Sequence, residues 1–331
     1  MGATDRPKVC SDLEGVPVIT RALDTYTRCG IKHHIVVVGE QADQVAAAVC
    51  ERFPRTIFAY QFEPLGTGHA TRCGASVLEA FGYEGDVMVV AGDKVLEERT
   101  VREQLDLFRR SGADFCFMVG AKGDFPSSGR IVEDEAGNVL GNIEVGDIAR
   151  ARLIGQWFEA VQSRPLAGDG VRAEMLEAFS TEAKARRAMP RLWRLLGERA
   201  LIRADDLRSC FSPDEAIFEF NRQDGEILRF SAEEVETRAR HANLTVFFMR
   251  MEALRYALEQ LAAANAQGEE YLPDAIGVLA GASTSDGRPC FRVVAYEIAQ
   301  RTDALAFNTL AELEAIRQHY RRRREAASDK R

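Results

Sequence analysis

Asp86-Val87-Met88-Val89-Val90-Ala91-Gly92-Asp93 joins an unbroken apolar run to a Gly-Asp turn. A run this short, rich in valine and without polar alternation, reads as a strand buried on both faces. Upstream, Ile35-Val36-Val37-Val38-Gly39 has the same character, and Thr56 to Tyr60 gives another strand. Between those two, Gln41 to Phe53 carries Val45, Ala48 and Val49 at helical spacing. His69 to Phe81 sets Ala70, Cys73, Val77 and Leu78 on one helical face. Downstream, Thr100 to Arg110 predicts a helix and Phe115 to Val119 a strand. Strands spaced by helices imply an α/β fold with a mixed, mostly parallel sheet covered on both faces.

The pattern changes past residue 120. Gly129 to Val132 and Val139 to Glu144 flank Glu135-Ala136-Gly137-Asn138, which reads as a hairpin. From about 150 to 240 the chain is rich in Arg and Glu at helical spacing, with Met175, Leu176 and Phe179, then Leu192, Leu195 and Leu196. Strand character returns at Leu244 to Met249 and at Cys290 to Tyr296, and helices are expected over Glu252 to Ala263 and Leu310 to Arg323. The expected division is one α/β domain from 1–150 and 240–320, an inserted and mostly helical subdomain at 151–239, and a basic tail at 321–331.

Composition narrows the function. The 331 residues are 46% hydrophobic and 28% charged, enough for a large core. Lys and Arg number 43 against 51 Asp and Glu, a net charge of −8, which disfavours general nucleic-acid binding. The run Arg321 to Arg324 follows a helical pattern and reads as a solvated helix end. Seven cysteines without a C-x-x-C pair argue against a disulfide framework or a cysteine zinc site and favour the reducing cytoplasm. No apolar run approaches the ~18 residues of a membrane span.

Four places carry chemistry. Tyr60-Gln61-Phe62-Glu63-Pro64-Leu65-Gly66-Thr67-Gly68-His69-Ala70 lies between a strand and a helix. Glycines there let backbone approach a planar ligand, and the Gln61 amide can read a base edge. An isolated G-x-G is more often a plain β–α turn; the full string is more specific. Asp93 stands just past a strand's C-terminal end, where α/β sheets bind ligands. One carboxylate with phosphate oxygens and waters suits Mg²⁺. Asn265-Ala266-Gln267-Gly268-Glu269-Glu270-Tyr271-Leu272-Pro273-Asp274 reads by itself as a polar connection. Lys8, in Pro7-Lys8-Val9, reads by itself as a surface residue.

Together, Lys8, Gln61, Gly66-Thr67, Asp93, Gly129, Glu144, Asn243 and Asn265 occur in the order found in sugar-nucleotide pyrophosphorylases. The chain resembles most the uridylyltransferase half of the bifunctional N-acetylglucosamine-1-phosphate uridylyltransferase/acetyltransferases, over about 1–150 and 240–320. The resemblance implies a Rossmann-like nucleotidyltransferase that transfers a uridylyl group from UTP to a sugar 1-phosphate. It implies Gln61, Gly66 and Thr67 around uracil, Lys8 on the phosphates, and Asp93 and Asn265 on Mg²⁺. The Gly129 backbone, Glu144 and Asn243 would face the sugar. Lys8 and Asp93 would be the catalytic pair.

Departures from the family pattern set further expectations. The family's Val-Pro after Gly-Asp reads Lys94-Val95, and its Asn-Thr-Gly reads Asn243-Leu244-Thr245. The family opens with L-A-A-G-x-G-T-R-M, and Met1 to Val9 lines up with the end of that loop. An upstream strand and phosphate loop are therefore expected in the functional protein. Hexapeptide repeats are absent from the sequence, so acetyl transfer is not expected. The competing readings are a non-catalytic nucleotide-sugar-binding or regulatory protein and a nucleotidyltransferase with another base or sugar.

Overall fold

The computed structural model describes residues 6–222, 224–263, 265–307 and 309–328. The Met1–Asp5 stretch that lines up with the phosphate loop, and the end of the basic tail at 329–331, lie outside the described residues.

The first half follows the alternation of the sequence. After helix α1 (Val18–Arg28), strand β1 (Ile35–Val38) leads to α2 (Ala42–Cys50). Strand β2 (Ile57–Tyr60), α3 (Thr67–Ala80), β3 (Asp86–Val90), α4 (Glu98–Ser111) and β4 (Phe115–Ala121) follow in turn. The hairpin expected at 129–144 is β5 (Arg130–Glu133) with β6 (Val139–Ile143), and Gly137 in its turn has φ 83°.

The middle segment holds α5 (Val145–Ala160), α6 (Gly168–Phe179), α7 (Glu182–Ala188), α8 (Pro190–Leu195) and α9 (Ala204–Cys210). An antiparallel hairpin, β7 (Ile217–Asn221) with β8 (Ile227–Ser231), then precedes α10 (Ala232–Arg238). A division at 150/151 would cut α5 in two. The hairpin was missed because its strands are short and its outer face mixes Ile217 and Ile227 with Glu219 and Arg229, so no clean alternation shows. Its Phe220 and Phe230 nevertheless pack with Val132 and Leu140 of the β5–β6 hairpin, so this part of the segment shares a core with the sheet.

Strand β9 (His241–Arg250) is the axis of the main sheet. It pairs antiparallel with β4 along one edge, while β3 and β5 divide the other edge. The remaining pairs are β10 (Val293–Glu297), parallel to β4, and β6, antiparallel to β5. Thus β3, β4, β5 and β10 run one way and β9 and β6 the other: a mixed sheet, mostly parallel in strand direction. β1 and β2 form a separate parallel pair. No ladder joins them to the main sheet among the described residues.

Period-two alternation divides the core. Cys116 and Met118 of β4, with Val246 and Phe248 of β9, face α1, α2 and α4. Phe115 and Phe117, with Phe247 and Met249, face α3, α11 (Met251–Gln260) and α12 (Ala275–Gly281). Each fully buried phenylalanine stabilises the fold by about 1.5–3 kcal/mol. The helices of the middle segment close on their own cluster of Ile154, Trp157, Met175, Met189, Leu192 and Leu207. Helix α13 (Leu310–Ser328) is longer than expected and packs Leu313 and Ile316 on Leu13, Val18 and Phe307. Arg321 is not a free basic residue: it pairs with Glu14 at 3.2 Å. Among the described residues, no helix is long and apolar enough to cross a membrane.

Candidate active site

Asp93 follows β3 in a tight turn closed by Lys94 N–H donating to the Ala91 carbonyl at 3.1 Å. Pro7 caps a single 3₁₀ turn, Lys8–Cys10, which brings Lys8 Nζ to 2.5 Å from Asp93 Oδ2. Both side chains are mostly buried, at 28% and 22% exposure. Lys8 Nζ also lies 5.2 Å from the centre of the fully buried Phe307 ring, so an aromatic face backs the ammonium. A lysine that the sequence alone would place on the surface is thus held against the carboxylate 85 residues away.

The glutamine loop is built by α3. Gly66 precedes the helix with φ 108°. A Cβ at this position would strike the Glu270 carbonyl and come within 2.9 Å of Glu269 Cβ, so only glycine fits on both counts. Gly68 N–H donates to Glu270 O at 2.7 Å, Glu270 N–H to Leu65 O at 2.8 Å, and Leu272 N–H to Thr67 Oγ1 at 3.0 Å. These bonds seat the two loops against each other. Gln61 Nε2 donates to Gly66 O at 3.1 Å and meets His69 Nδ1 at 3.0 Å. Both amide hydrogens are thereby used, and Oε1 remains as an acceptor. His69 was quoted in the motif but given no role; its ring fixes the orientation of Gln61.

The third group gathers around Gly129. Asn243 N–H donates to Gly129 O at 2.9 Å, and Asn142 Nδ2 donates to Glu144 Oε1 at 3.0 Å. A Cβ on Gly129 would collide with Asn142 Oδ1 and lie 2.6 Å from Glu144 Oε1. Burial raises the Glu144 carboxyl above its usual range, opposed by the Asn142 bond. Lys94 is held below its ordinary range chiefly by burial; the charges of Asp93 and Glu144 favour its ammonium form and that of Lys8 opposes it.

Asn265, which the resemblance sets on Mg²⁺, is bonded within its own loop. Its Oδ1 accepts from Gln267 N–H at 3.2 Å and Glu269 N–H at 3.3 Å, and its Nδ2 donates to Glu269 O at 2.5 Å. A carbonyl oxygen has two lone pairs, and both are taken by the loop. No contact brings Asn265 to Asp93 among the described residues. The loop is further fastened to the middle segment: Ala266 N–H donates to Asp147 Oδ1 at 2.6 Å, and Arg187 pairs with Glu269 at 3.2 Å.

For a divalent cation, Asp93 supplies the right chemistry, a carboxylate past a strand end beside a lysine. Asn265 does not fit in this arrangement. Among the described residues no group of three or more His, Cys, Asp and Glu could hold a metal.

A carboxylate–lysine pair past a strand end, a glutamine–glycine loop at a helix start and a buried polar group beyond them define a nucleotide-handling α/β protein. Residues 1–206 match the MobA-like NTP transferase domain, and the chain belongs to that family. Two relatives are the bifunctional protein GlmU of Mycolicibacterium gilvum and that of Thermoanaerobacter pseudethanolicus. The first is 32% identical over 154 residues, covering 45% of this chain and 31% of that protein. The second is 32% identical over 142 residues, covering 43% and 30%. The chain thus spans about a third of the length of these relatives. Among solved structures, a UDP-glucose pyrophosphorylase complexed with UDP-glucose shares the fold with TM-score 0.53 at 10% identity, covering 96% of this chain and 91% of that one. A nucleoside-diphosphate-sugar pyrophosphorylase from Vibrio cholerae RC9 shares it with TM-score 0.53 at 12% identity, covering 95% and 93%.

Proposed function

We propose that the protein transfers a uridylyl group from UTP to a sugar 1-phosphate, with N-acetylglucosamine 1-phosphate as the leading acceptor. The observation that supports the reading is the Lys8–Asp93 pair, which holds a cation and a carboxylate together just past the end of β3. A pure binding module has less use for that carboxylate.

In the reaction, an oxygen of the sugar phosphate attacks the α-phosphorus of UTP. The new P–O bond forms as the bond from the α-phosphorus to the bridging oxygen breaks, and pyrophosphate leaves with the electron pair. Such transfer needs charge neutralisation and alignment more than acid–base chemistry. Lys8 neutralises phosphate charge, and Lys94 adds a second cation on the acceptor side. Gln61, with Gly66 and Thr67, holds the base; Gly129, Glu144 and Asn243 hold the sugar. Mg²⁺, held by Asp93 with phosphate oxygens, would supply further charge neutralisation. We place the reaction in the cytoplasm, in keeping with seven unbonded cysteines.

Pyrophosphate release, measured over four nucleoside triphosphates and a panel of sugar 1-phosphates, tests the reading. Release with UTP and one sugar 1-phosphate is expected. Release with another triphosphate only would move the base assignment, and none with any pair would favour a binding role.

A further inference from the structure

Asn142 was not among the residues singled out by motif, yet it is 5% exposed and sits next to the last residue of β6. Its Nδ2 is bound to Glu144 Oε1, which fixes the amide orientation, because the swapped amide would face two oxygens together. Its Oδ1 is buried with no hydrogen-bond partner. Nearly all buried polar atoms are paired, so an exception calls for a physical cause.

The surroundings supply one. Asn142 Oδ1 lies against the bare α-carbon of Gly129, beside Glu144 Oε1. Asn243, 3% exposed, bonds Gly129 O through its backbone N–H; its Oδ1 accepts Thr245 N–H and its Nδ2 is also buried without a partner. One free acceptor and one free donor thus belong to two residues that contact the same glycine. A hydroxyl both donates and accepts, and an acylamino group presents an N–H and a C=O. Packing does not require an amide here, since the cross-strand neighbour of Asn142 is Ile131.

We propose that Asn142 is a specificity-determining residue of the acceptor site: its Oδ1 accepts a hydrogen bond from a hydroxyl or acylamino N–H of the sugar. The proposal rests on the sugar-phosphate reading above. A site built to hydrogen-bond a substrate donor rejects the analogue that lacks it, because its own buried atom is then left unpaired.

The test uses the whole chain as wild type, Asn142→Ala and Asn142→Leu, each checked for folding by circular dichroism. Pyrophosphate release is measured with the parent sugar 1-phosphate, its monodeoxy analogues and its deacylated analogue. Wild type should disfavour one analogue by roughly 100-fold or more in kcat/KM. Either folded variant should reduce that preference to a few-fold, at that one position only, with the KM for UTP unchanged. Discrimination equal to wild type at every position would overturn the proposal. So would an equal loss at all positions, which marks a residue that only orients Glu144. If wild type turns over no sugar phosphate, the functional reading fails separately. Calorimetric titration of the same sugars into wild type and variant then decides on Asn142: position-specific loss of binding supports it, and identical binding refutes it.

Discussion

Asn243 Oδ1 accepts the Thr245 backbone N–H at 3.0 Å, and Thr245 itself holds φ at 55°. The two facts are one device. The turn breaks the β9–β4 register between Asn243 and Phe247, and it ties the Asn243 side chain back to its own strand while the Asn243 backbone N–H reaches Gly129 O. A β-branched residue in the left-handed region is a genuine outlier. The resembling family carries glycine at this position, where it costs little.

Thr245→Gly should therefore stabilise the protein. Relief of left-handed backbone strain is worth about 1–2 kcal/mol, and the entropy of an added glycine takes back about 0.5–1 kcal/mol. A net gain of about 0–1.5 kcal/mol is expected in urea unfolding, with an unchanged m-value. A lower midpoint would mean that the threonine hydroxyl or methyl holds the bulge in a way φ does not reveal.

Base selectivity follows from the spent hydrogens of Gln61. With Nε2 committed to Gly66 O and His69 Nδ1, only Oε1 is left for a ligand, and it can only accept. Uracil N3–H satisfies it, whereas cytosine presents a lone pair at that ring position. UTP should outcompete CTP by at least an order of magnitude in binding, since an unpaired buried polar atom costs about 1–3 kcal/mol. His69→Ala should erode the discrimination by freeing Gln61 to turn over. Equal affinities for UTP and CTP in the wild type would remove Gln61 from the base site.

Much of this architecture was legible in the chain. The valine runs at 35–38 and 86–90 and the helices between them needed only periodicity and length. The β5–β6 hairpin declared itself through Gly137. The bonding of Asn265 is one thing a motif cannot show. A string fixes order, but whether an asparagine points at a ligand or folds back on its own loop depends on three backbone N–H and C=O groups that tertiary packing positions. Asn142 was invisible for a similar reason: it sits in a strand whose pattern is otherwise apolar, and only the missing partner of its oxygen marks it. Helix α1 was legible but unread: Val18, Ile19, Ala22, Leu23 and Tyr26 form a regular apolar stripe opposite Arg21 and Asp24.

Lys8 and Asp93 should differ in what they lose. Asp93→Ala should lower turnover by two or more orders of magnitude with UTP binding less affected. A group aligned on the reacting phosphates acts mainly in the transition state, and each ~1.4 kcal/mol is tenfold in rate. Lys8→Ala should weaken UTP binding as well, because it meets the ground-state charge. Steady-state kcat and KM for both variants, beside UTP titrations, separate the two. Near-normal turnover in Asp93→Ala would dissolve the assignment of that carboxylate.

Asp274 should give the fold a pH dependence opposite to that of a salt-bridged carboxylate. Burial, then the neighbouring Asp147 and Glu144, raise its pKa from 3.8 to about 7. Tyr271 lies in the same group and stays protonated throughout, its own pKa raised by burial and these carboxylates. A carboxyl raised in the folded state favours the fold while it is protonated. Its contribution is whole below pH ~4, and it is lost as pH climbs through 7, where the folded form must also ionise. Glu144 and Asp147 are raised as well, burial again first, so they act in the same sense. Each pH unit between those limits removes up to about 1.4 kcal/mol for one such group. Asp274→Asn keeps a neutral polar group and removes one titration. The difference in unfolding free energy between variant and wild type should therefore grow in the variant's favour from pH 4 to pH 7 and level off above. Urea melts at half-unit intervals provide the measurement. A difference that stays constant across that window would show that Asp274 ionises normally, with water reaching it past Leu272 and Pro273.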